Sequence, residues 1–109
     1  MPDTECGAAI VWISAPPSDS SRLARSIVEK RLGACVQVLH GVTSFFHWDD
    51  RIQEEDEHLI LVKTTLQAVE GLKALIAQEH PYEVPEFLAT AVIDGQQKYL
   101  DWIKDTTVV

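Results

Sequence analysis

The chain of 109 residues has few glycines, few cysteines and a shortage of basic side chains. Its five glycines stand apart from one another, whereas a Rossmann fingerprint or a P-loop needs them clustered so that backbone amides can hold phosphates. Two cysteines, Cys6 and Cys35, are too few for a disulfide framework or a four-ligand zinc site. These shortages argue against nucleotide binding through either motif and predict a reducing, cytoplasmic setting.

Long apolar runs and positive charge are also scarce. The apolar run at residues 8–13 is too short for the core of a signal peptide, and nothing approaches the roughly 20 apolar residues that span a membrane. The chain carries 9 Lys and Arg against 17 Asp and Glu, a net charge of −8. Because Lys and Arg drive binding to phosphates and anionic lipids, we expect neither nucleic acid nor membrane as a partner.

The apolar residues that are present follow short strand and helix patterns. We expect residues 1–7 to form a flexible N-terminus and residues 8–109 to form a single domain. The predicted strands are 8–14, 35–48, 52–65 and 87–93, and the predicted helices are 18–32, 66–79 and 96–104. We place a helix cap at Ser18 or Asp19, a C-terminal cap at Gly33 and a turn at 49–51. The order predicts an α+β ferredoxin-like βαββαβ sandwich with a long β-hairpin and a short C-terminal helix.

The predicted hairpin of residues 35–65 is unusually long for a small domain. Arms of about 14 residues extend on the order of 45 Å, whereas a 100-residue domain has a radius of gyration of about 13 Å. Val36, Val38, Val42, Phe46 and Trp48 share one parity and predict one apolar face. A projecting arm would expose those aromatics, and isolated hairpins are barely stable. We therefore predict that copies of the chain associate.

The segment 79–86 is the most unusual candidate for chemistry. Pro81 and Pro85 restrict the backbone of a loop that holds His80 among the acids Glu79, Glu83 and Glu86. Imidazole with carboxylate suits a divalent transition metal. The same residues also fit a rigid connector between helix and strand, in which His80 caps carbonyl groups.

Other polar residues have both structural and functional interpretations. Cys35 is either a soft metal ligand or a small buried side chain. Lys63 ends an apolar run and needs an acidic partner, for which Glu57 and Glu86 are candidates. His40, His47 and His58 are scattered along the two long strands, and we interpret them as surface or pairing residues.

The acidic stretch Glu54–Glu57 either prevents strands from aggregating at their edges or attracts divalent cations weakly. Trp12, Trp48 and Trp102 occur in three separate elements and are interpreted as packing or interface residues. No nucleophile motif is visible, so we expect no enzymatic activity.

In their order and spacing, these residues resemble the CutA divalent-cation-tolerance family over Ala8 to about Lys104. The segments that carry the resemblance are Leu32–Val36, Ser44–Trp48, Glu57, Lys63-Thr64, His80–Tyr82, Pro85-Glu86, Tyr99 and Trp102. The resemblance implies a cytosolic, ferredoxin-like homotrimer, similar to PII-type signalling proteins, whose long hairpins pack across subunits. It also implies a link to tolerance of copper and other divalent cations, with no organic cofactor.

The resemblance places the metal site at His80 and the position before it. Some relatives have a second histidine where this chain has Glu79, and some have a cysteine where it has Ile13. These departures favour a harder site, in which His80 coordinates Cu²⁺ or another divalent cation together with Glu79 or Glu86. Cys35 matches the family's cysteine and is carried over as a further candidate ligand.

The resemblance also implies contacts in clefts between subunits. The candidate contacts are Phe46, Trp48, Glu57, Lys63, Tyr82 and Trp102. Phe46, Asp50 and Gln37 depart from the tyrosine, glycine and asparagine that are usual in the family. The alternative function is a trimeric signalling scaffold that binds a small anion or a partner protein, with Lys63 and Tyr82 as contacts.

Overall fold

The structure, a computed structural model, describes residues 6–108. Its elements are β1 (Ala8–Ala15), α1 (Ser20–Glu29), β2 (Cys35–Trp48), β3 (Arg51–Thr65), a 3₁₀ turn (Leu66–Ala68), α2 (Val69–Glu79), β4 (Leu88–Ala91) and α3 (Gln97–Thr106). The strands form one antiparallel sheet in the order β2-β3-β1-β4. This arrangement confirms the predicted ferredoxin-like α+β fold. The flexible N-terminus stays a prediction, because residues 1–5 lie outside the described part.

The core lies between one face of the sheet and the helices α1 and α2. Alternate residues of β1 and β3 point to this face, and the apolar residues of both helices pack against them. Full burial of such a side chain stabilises the fold by about 1.5–3 kcal/mol. The buried cluster comprises Val11, Ile13, Ala15, Leu23, Ile27, Ile60, Val62, Leu72, Leu75 and Ile76.

A β-bulge in β2 changes which of its residues face the core. Val38 pairs with Ile60, but after the shift between Leu39 and Val42 the next pair is Val42 with Glu57. Ile60 and Glu57 lie on opposite faces of β3, so Val38 and Val42 do too. The prediction of one continuous apolar face along β2 is therefore wrong. Gly41, which lies in the bulge with a φ of 75°, adopts a conformation that favours glycine.

The far part of the hairpin leaves the sheet. β1 pairs with β3 only from His58 to Thr65, so residues 42–57, which we call the arm, form two strands without a third. The principal extents are 44 × 28 × 23 Å, and the long dimension agrees with the length expected of the hairpin. Asp49 and Asp50, with φ of 55° and 59°, form the tight turn at its tip.

The end of α1 differs from the predicted glycine cap. Arg31, with a φ of 57°, takes the left-handed position, and the N–H groups of Arg31 and Leu32 donate to the carbonyls of Val28 and Ile27. Gly33 has another role. A Cβ there would lie 2.5 Å from Val62 Cγ1 and 2.9 Å from Ile27 Cγ2, so the backbone itself packs against the core.

The start of α1 agrees with the prediction, because Asp19 is its N-cap residue, but the Asp19 side chain makes no capping bond and pairs with Arg22 at 3.0 Å instead. The last strand differs from the prediction. β4 covers only Leu88–Ala91, because these four residues are the ones that pair with β1.

Candidate functional site

A cleft of about 800 Å³ lies between the arm and the loop of residues 80–86. The arm supplies aromatic and acidic side chains, and the loop supplies a tyrosine and two more acids. The lining residues are Ser14, Ser44, Phe45, Phe46, Trp48, Gln53, Glu55, Glu57, Pro81, Tyr82, Glu83, Val84, Pro85 and Glu86. Within the described residues, the lining contains four glutamates and no Lys, Arg or His.

His80 fixes the loop to the end of β1. It follows the last residue of α2 and is 8% exposed. Its Nε2 lies 2.7 Å from the carbonyl oxygen of Ser14, and its Nδ1 accepts the backbone N–H of Tyr82 at 3.1 Å. Because a carbonyl only accepts, the proton is on Nε2 and the ring is neutral. Both ring nitrogens are thus hydrogen-bonded within the chain. These bonds agree with the interpretation of His80 as part of a rigid connector between helix and strand.

Glu57 and Tyr82 join the arm to the loop. The Tyr82 hydroxyl donates a 2.8 Å hydrogen bond to Oε2 of Glu57, which is 5% exposed. Burial, the hydrogen bond to Glu57 and the charge of Glu57 raise the pKa of Tyr82 above its ordinary value. Glu57 forms no ion pair with a basic side chain anywhere in residues 6–108.

Glu79 and Glu86, the two acids predicted to act with His80, separate. Glu86 lines the cleft. Glu79 turns toward α1, where Lys30 Nζ lies 3.1 Å from its Oε2. Hydrogen bonds from Ser26 and Lys30 lower the pKa of Glu79 below its ordinary value. Glu79 therefore links two helices.

Cys35, Lys63 and Trp102 lie toward the other end of the sheet. Cys35 pairs with Lys63, which pairs with Ile10 of β1. Ile10 is four residues from Ser14, the contact of His80, a separation of about 13 Å along the strand. Lys63 hydrogen-bonds Gln37, not Glu57 or Glu86.

Trp102 belongs to this second group through its neighbour in α3. Its ring contacts that of Tyr99, with 5.5 Å between centroids. Burial and the nearby Cys35 raise the pKa of Tyr99. α3 therefore holds Trp102 beside Tyr99, and Trp102 does not line the cleft.

The structure thus places the predicted site residues in the cleft, at the other end of the sheet, or, for His80 and Glu79, in structural contacts beside the cleft loop. Five of them line the cleft: Phe46, Trp48, Glu57, Tyr82 and Glu86. The proposed ligands His80, Glu79, Glu86 and Cys35 do not come together, and no group of three or more His, Cys, Asp or Glu in the described chain is placed to hold a metal ion. Metal binding at this site stays a prediction.

Gln53 and Glu55 line the cleft but were not predicted as site residues. Both lie on the same face of β3 as Glu57, so strand alternation was the signal that could have found them. The bulge at Gly41 reverses the alternation of β2, so counting from Val38 does not place Ser44 on the face where it lies beside Glu55.

No helix in the described residues has the length and apolar character needed to cross a membrane.

Fold and cleft together define a ferredoxin-like α+β domain with an acidic, aromatic-lined cleft beside a projecting arm. A protein-family model described as CutA1 divalent ion tolerance protein matches residues 9–106. The chain is 40% identical to the "Divalent-cation tolerance protein CutA" of Thermus thermophilus, over 90% of this chain and 96% of that protein. The chain therefore belongs to the CutA1 divalent ion tolerance family.

Solved structures of relatives have the same fold. The "PII-like protein CutA" of Nostoc sp. PCC 7120 superimposes with a TM-score of 0.88 at 33% identity, covering 92% of this chain and 97% of that one. A CutA structure from Archaeoglobus fulgidus, described as periplasmic, superimposes with a TM-score of 0.87 at 30% identity, covering 91% of this chain and 97% of that one.

Proposed function

We propose that this protein is a homotrimer that binds divalent cations, with copper the leading candidate, and acts in the tolerance of such cations. The role is one of binding without catalysis, and the location is cytoplasmic. Membership of the divalent ion tolerance family supports the cation. The observation that carries the proposal is the buried carboxylate of Glu57 in a cleft without basic side chains.

The electrostatics of the cleft favour a positive ligand. A buried carboxylate without a counter-ion is unfavourable, because burial removes the water that stabilises its charge. The Tyr82 hydroxyl satisfies one oxygen of Glu57 by hydrogen bonding but supplies no charge. Glu55, Glu83 and Glu86 add negative charge around the same space. A divalent cation would offset this concentration of carboxylates.

The donor set defines the kind of coordination. Carboxylate oxygens of Glu57 and Glu86, completed by water, suit hard divalent ions such as Mn²⁺. Cu²⁺ forms the strongest complexes of the divalent series with most nitrogen and oxygen donors, which keeps copper as the leading candidate. His80 acts indirectly, because its bonds to Ser14 and Tyr82 position the loop that carries Glu86.

Exposed apolar side chains on the arm support the homotrimer. Phe45 is 66% exposed and Ile52 is 71% exposed, and Phe46 and Trp48 are also open to solvent. Contiguous exposed apolar surface is typical of interfaces between proteins. A two-stranded arm gains stability when other strands or chains cover it.

The alternative function is a trimeric scaffold of the PII type, supported by the likeness to the Nostoc relative, which is described as PII-like. The four glutamates of the cleft disfavour a small anion there, so a basic segment of a partner protein is the better ligand for such a scaffold. Of its two proposed contacts, Tyr82 lines the cleft and Lys63 does not.

Calorimetric titration tests the cation site. Mn²⁺ and Cu²⁺ are titrated into the wild type, Glu57→Gln and Glu86→Gln, with Glu70→Gln as the control because Glu70 is an exposed acid of α2. We expect each cleft variant to weaken Mn²⁺ binding about tenfold or more, and the control to bind as the wild type does. Equal Mn²⁺ affinity in all four proteins would refute the cleft as the site.

Two further measurements separate the functions. A native mass near three times the 12.2-kDa chain mass is expected, and a monomer would contradict the assembly. In a thermal-shift screen, stabilisation by divalent ions supports the cation site. Stabilisation by a Lys- and Arg-rich peptide with no response to metal ions would favour the scaffold.

A further inference from the structure

Two histidines meet where the arm leaves the sheet. The rings of His40 and His58 are stacked, with 4.0 Å between centroids and 9° between planes. His40 belongs to β2 and His58 to β3. Neither residue lines the acidic cleft. This pair is the place in the described chain where two imidazole rings face each other across neighbouring strands.

The β-bulge creates the pairing. Leu39 pairs with Leu59 and Val42 pairs with Glu57, so His40 and Gly41 together oppose the single residue His58. The extra residue brings the His40 ring over His58. His58 itself is held on its other side by β1, through its pairing with Ala15.

Ser20 orients the His58 ring. Its Oγ lies 2.7 Å from Nδ1 of His58 and donates to the carbonyl of Pro17 at 3.4 Å. When Nδ1 of His58 donates to Ser20 Oγ, the hydroxyl proton of Ser20 can go to the carbonyl of Pro17. Nε2 of His58 is then left with its lone pair. A fixed ring that donates through one nitrogen and offers the other is the usual arrangement of a metal-binding histidine.

We propose that His40 and His58 together bind a late first-row divalent cation such as Cu²⁺, Ni²⁺ or Zn²⁺, one per chain, with water completing the coordination. Imidazole nitrogen suits these ions. Metal–nitrogen bonds of about 2.0–2.1 Å place two coordinating nitrogens roughly 3–4 Å apart, which stacked rings 4.0 Å apart can supply.

Binding requires one local movement. The lone pairs of parallel rings run side by side, so the rings must tilt before both point at one ion. His40 is exposed and can turn, whereas His58 is held by Ser20. The net charge of −8 and the carboxylate of Asp56, two residues from His58 on the same face of β3, attract a cation to this end of the sheet.

The inference rests on the proposed binding of divalent cations but uses residues separate from the cleft. The test measures Cu²⁺ binding to the intact protein by calorimetry and by electron paramagnetic resonance, which counts coordinating nitrogens. The variants are His40→Ala and His58→Gln. His47→Ala is the matched control, because His47 is an exposed histidine of the arm outside the pair.

The wild type and His47→Ala should show two coordinating nitrogens. His40→Ala, at an exposed position that folding tolerates, should show one and bind Cu²⁺ at least tenfold more weakly. Unchanged nitrogen coordination and affinity in His40→Ala would overturn the inference. Loss of Cu²⁺ from Glu57→Gln together with full retention in His40→Ala would overturn the histidine site and leave the cleft proposal standing. Loss of Cu²⁺ binding in His40→Ala together with full retention in Glu57→Gln would support the histidine site and not the cleft.

Discussion

The hydroxyl of Tyr82 and the carboxylate of Glu57 form a 2.8 Å hydrogen bond that joins the loop after α2 to the base of the arm. The two residues are 25 positions apart and belong to different elements. Glu57 is nearly inaccessible to water, so this bond supplies the hydrogen-bonding partner that its Oε2 has lost. The contact therefore sets both the shape of the cleft and the position of its most buried charge.

Tyr82→Phe tests this contact. Removal of the hydroxyl leaves Glu57 Oε2 without its donor and should destabilise the protein by about 1 kcal/mol, measured by thermal unfolding at pH 7. The raised pKa of Tyr82 means that the folded state favours the neutral phenol. Its stabilisation is complete below pH 10, the ordinary value, and is lost as the pH rises beyond it. The difference between wild type and variant should narrow above about pH 10, and a widening difference would contradict the assignment.

Glu79→Gln tests the link between the helices. The pKa of Glu79 lies below 4.5, its ordinary value, so the contribution of the carboxylate is present above pH 4.5 and is lost as the pH falls through the lowered pKa. At pH 7 the variant should be less stable by about 0.2–1 kcal/mol, as for an exposed ion pair. At about pH 2 the two proteins should have the same melting temperature. Glu54→Gln, at an exposed acid of β3 that forms no ion pair within residues 6–108, controls for the loss of one negative charge.

Gly33→Ala tests the close approach of backbone to core. The new methyl group would lie 2.5 Å from Val62 Cγ1, and the buried side chain has little room to move. We expect a loss of about 1–3 kcal/mol in the free energy of unfolding. Gly71→Ala is the matched control, since its methyl meets only the end of the Leu32 side chain at 3.1 Å and alanine favours helix. Equal effects of the two substitutions would refute the interpretation.

Asp50→Gly and Asp50→Ala test the turn at the tip of the arm. Asp50 has a φ of 59°, which glycine adopts without strain and alanine does not. Glycine should raise the unfolding free energy by up to about 1 kcal/mol, and alanine should lower it. Denaturant unfolding of both variants measures the difference. A stabilising alanine substitution would show that the turn has another conformation.

The fold was predictable from sequence because its elements alternate in a clear order. The apolar run of β1, the spacing of Leu23 and Ile27 in α1, and the length of the hairpin each identified an element and its place. The predictions that were wrong depend on the exact position of single residues. Strand alternation gives a face only while the count is unbroken, and the bulge at Gly41 shifts that count by one.

The candidate site was harder to predict from the sequence than the fold. The prolines around His80 marked the loop, but the partners of its ring, Ser14 and Tyr82, depend on how the loop crosses the end of β1. His40 and His58, interpreted as separate surface or pairing residues, meet because of the same bulge. Cleft formation depends on contacts between distant segments, which local patterns do not encode.

The arm lacks a third strand, and this affects the order of steps in folding. The body of the domain holds its own core and can form at a rate independent of concentration. In the proposed homotrimer the arm, two strands with exposed aromatics, gains support when chains meet, so its ordering would be a second-order step. Trp12 lies in the central strand β1 and Trp48 at the end of the arm. In refolding experiments Trp12 should report an early phase, and Trp48 a later phase that accelerates as the protein concentration rises.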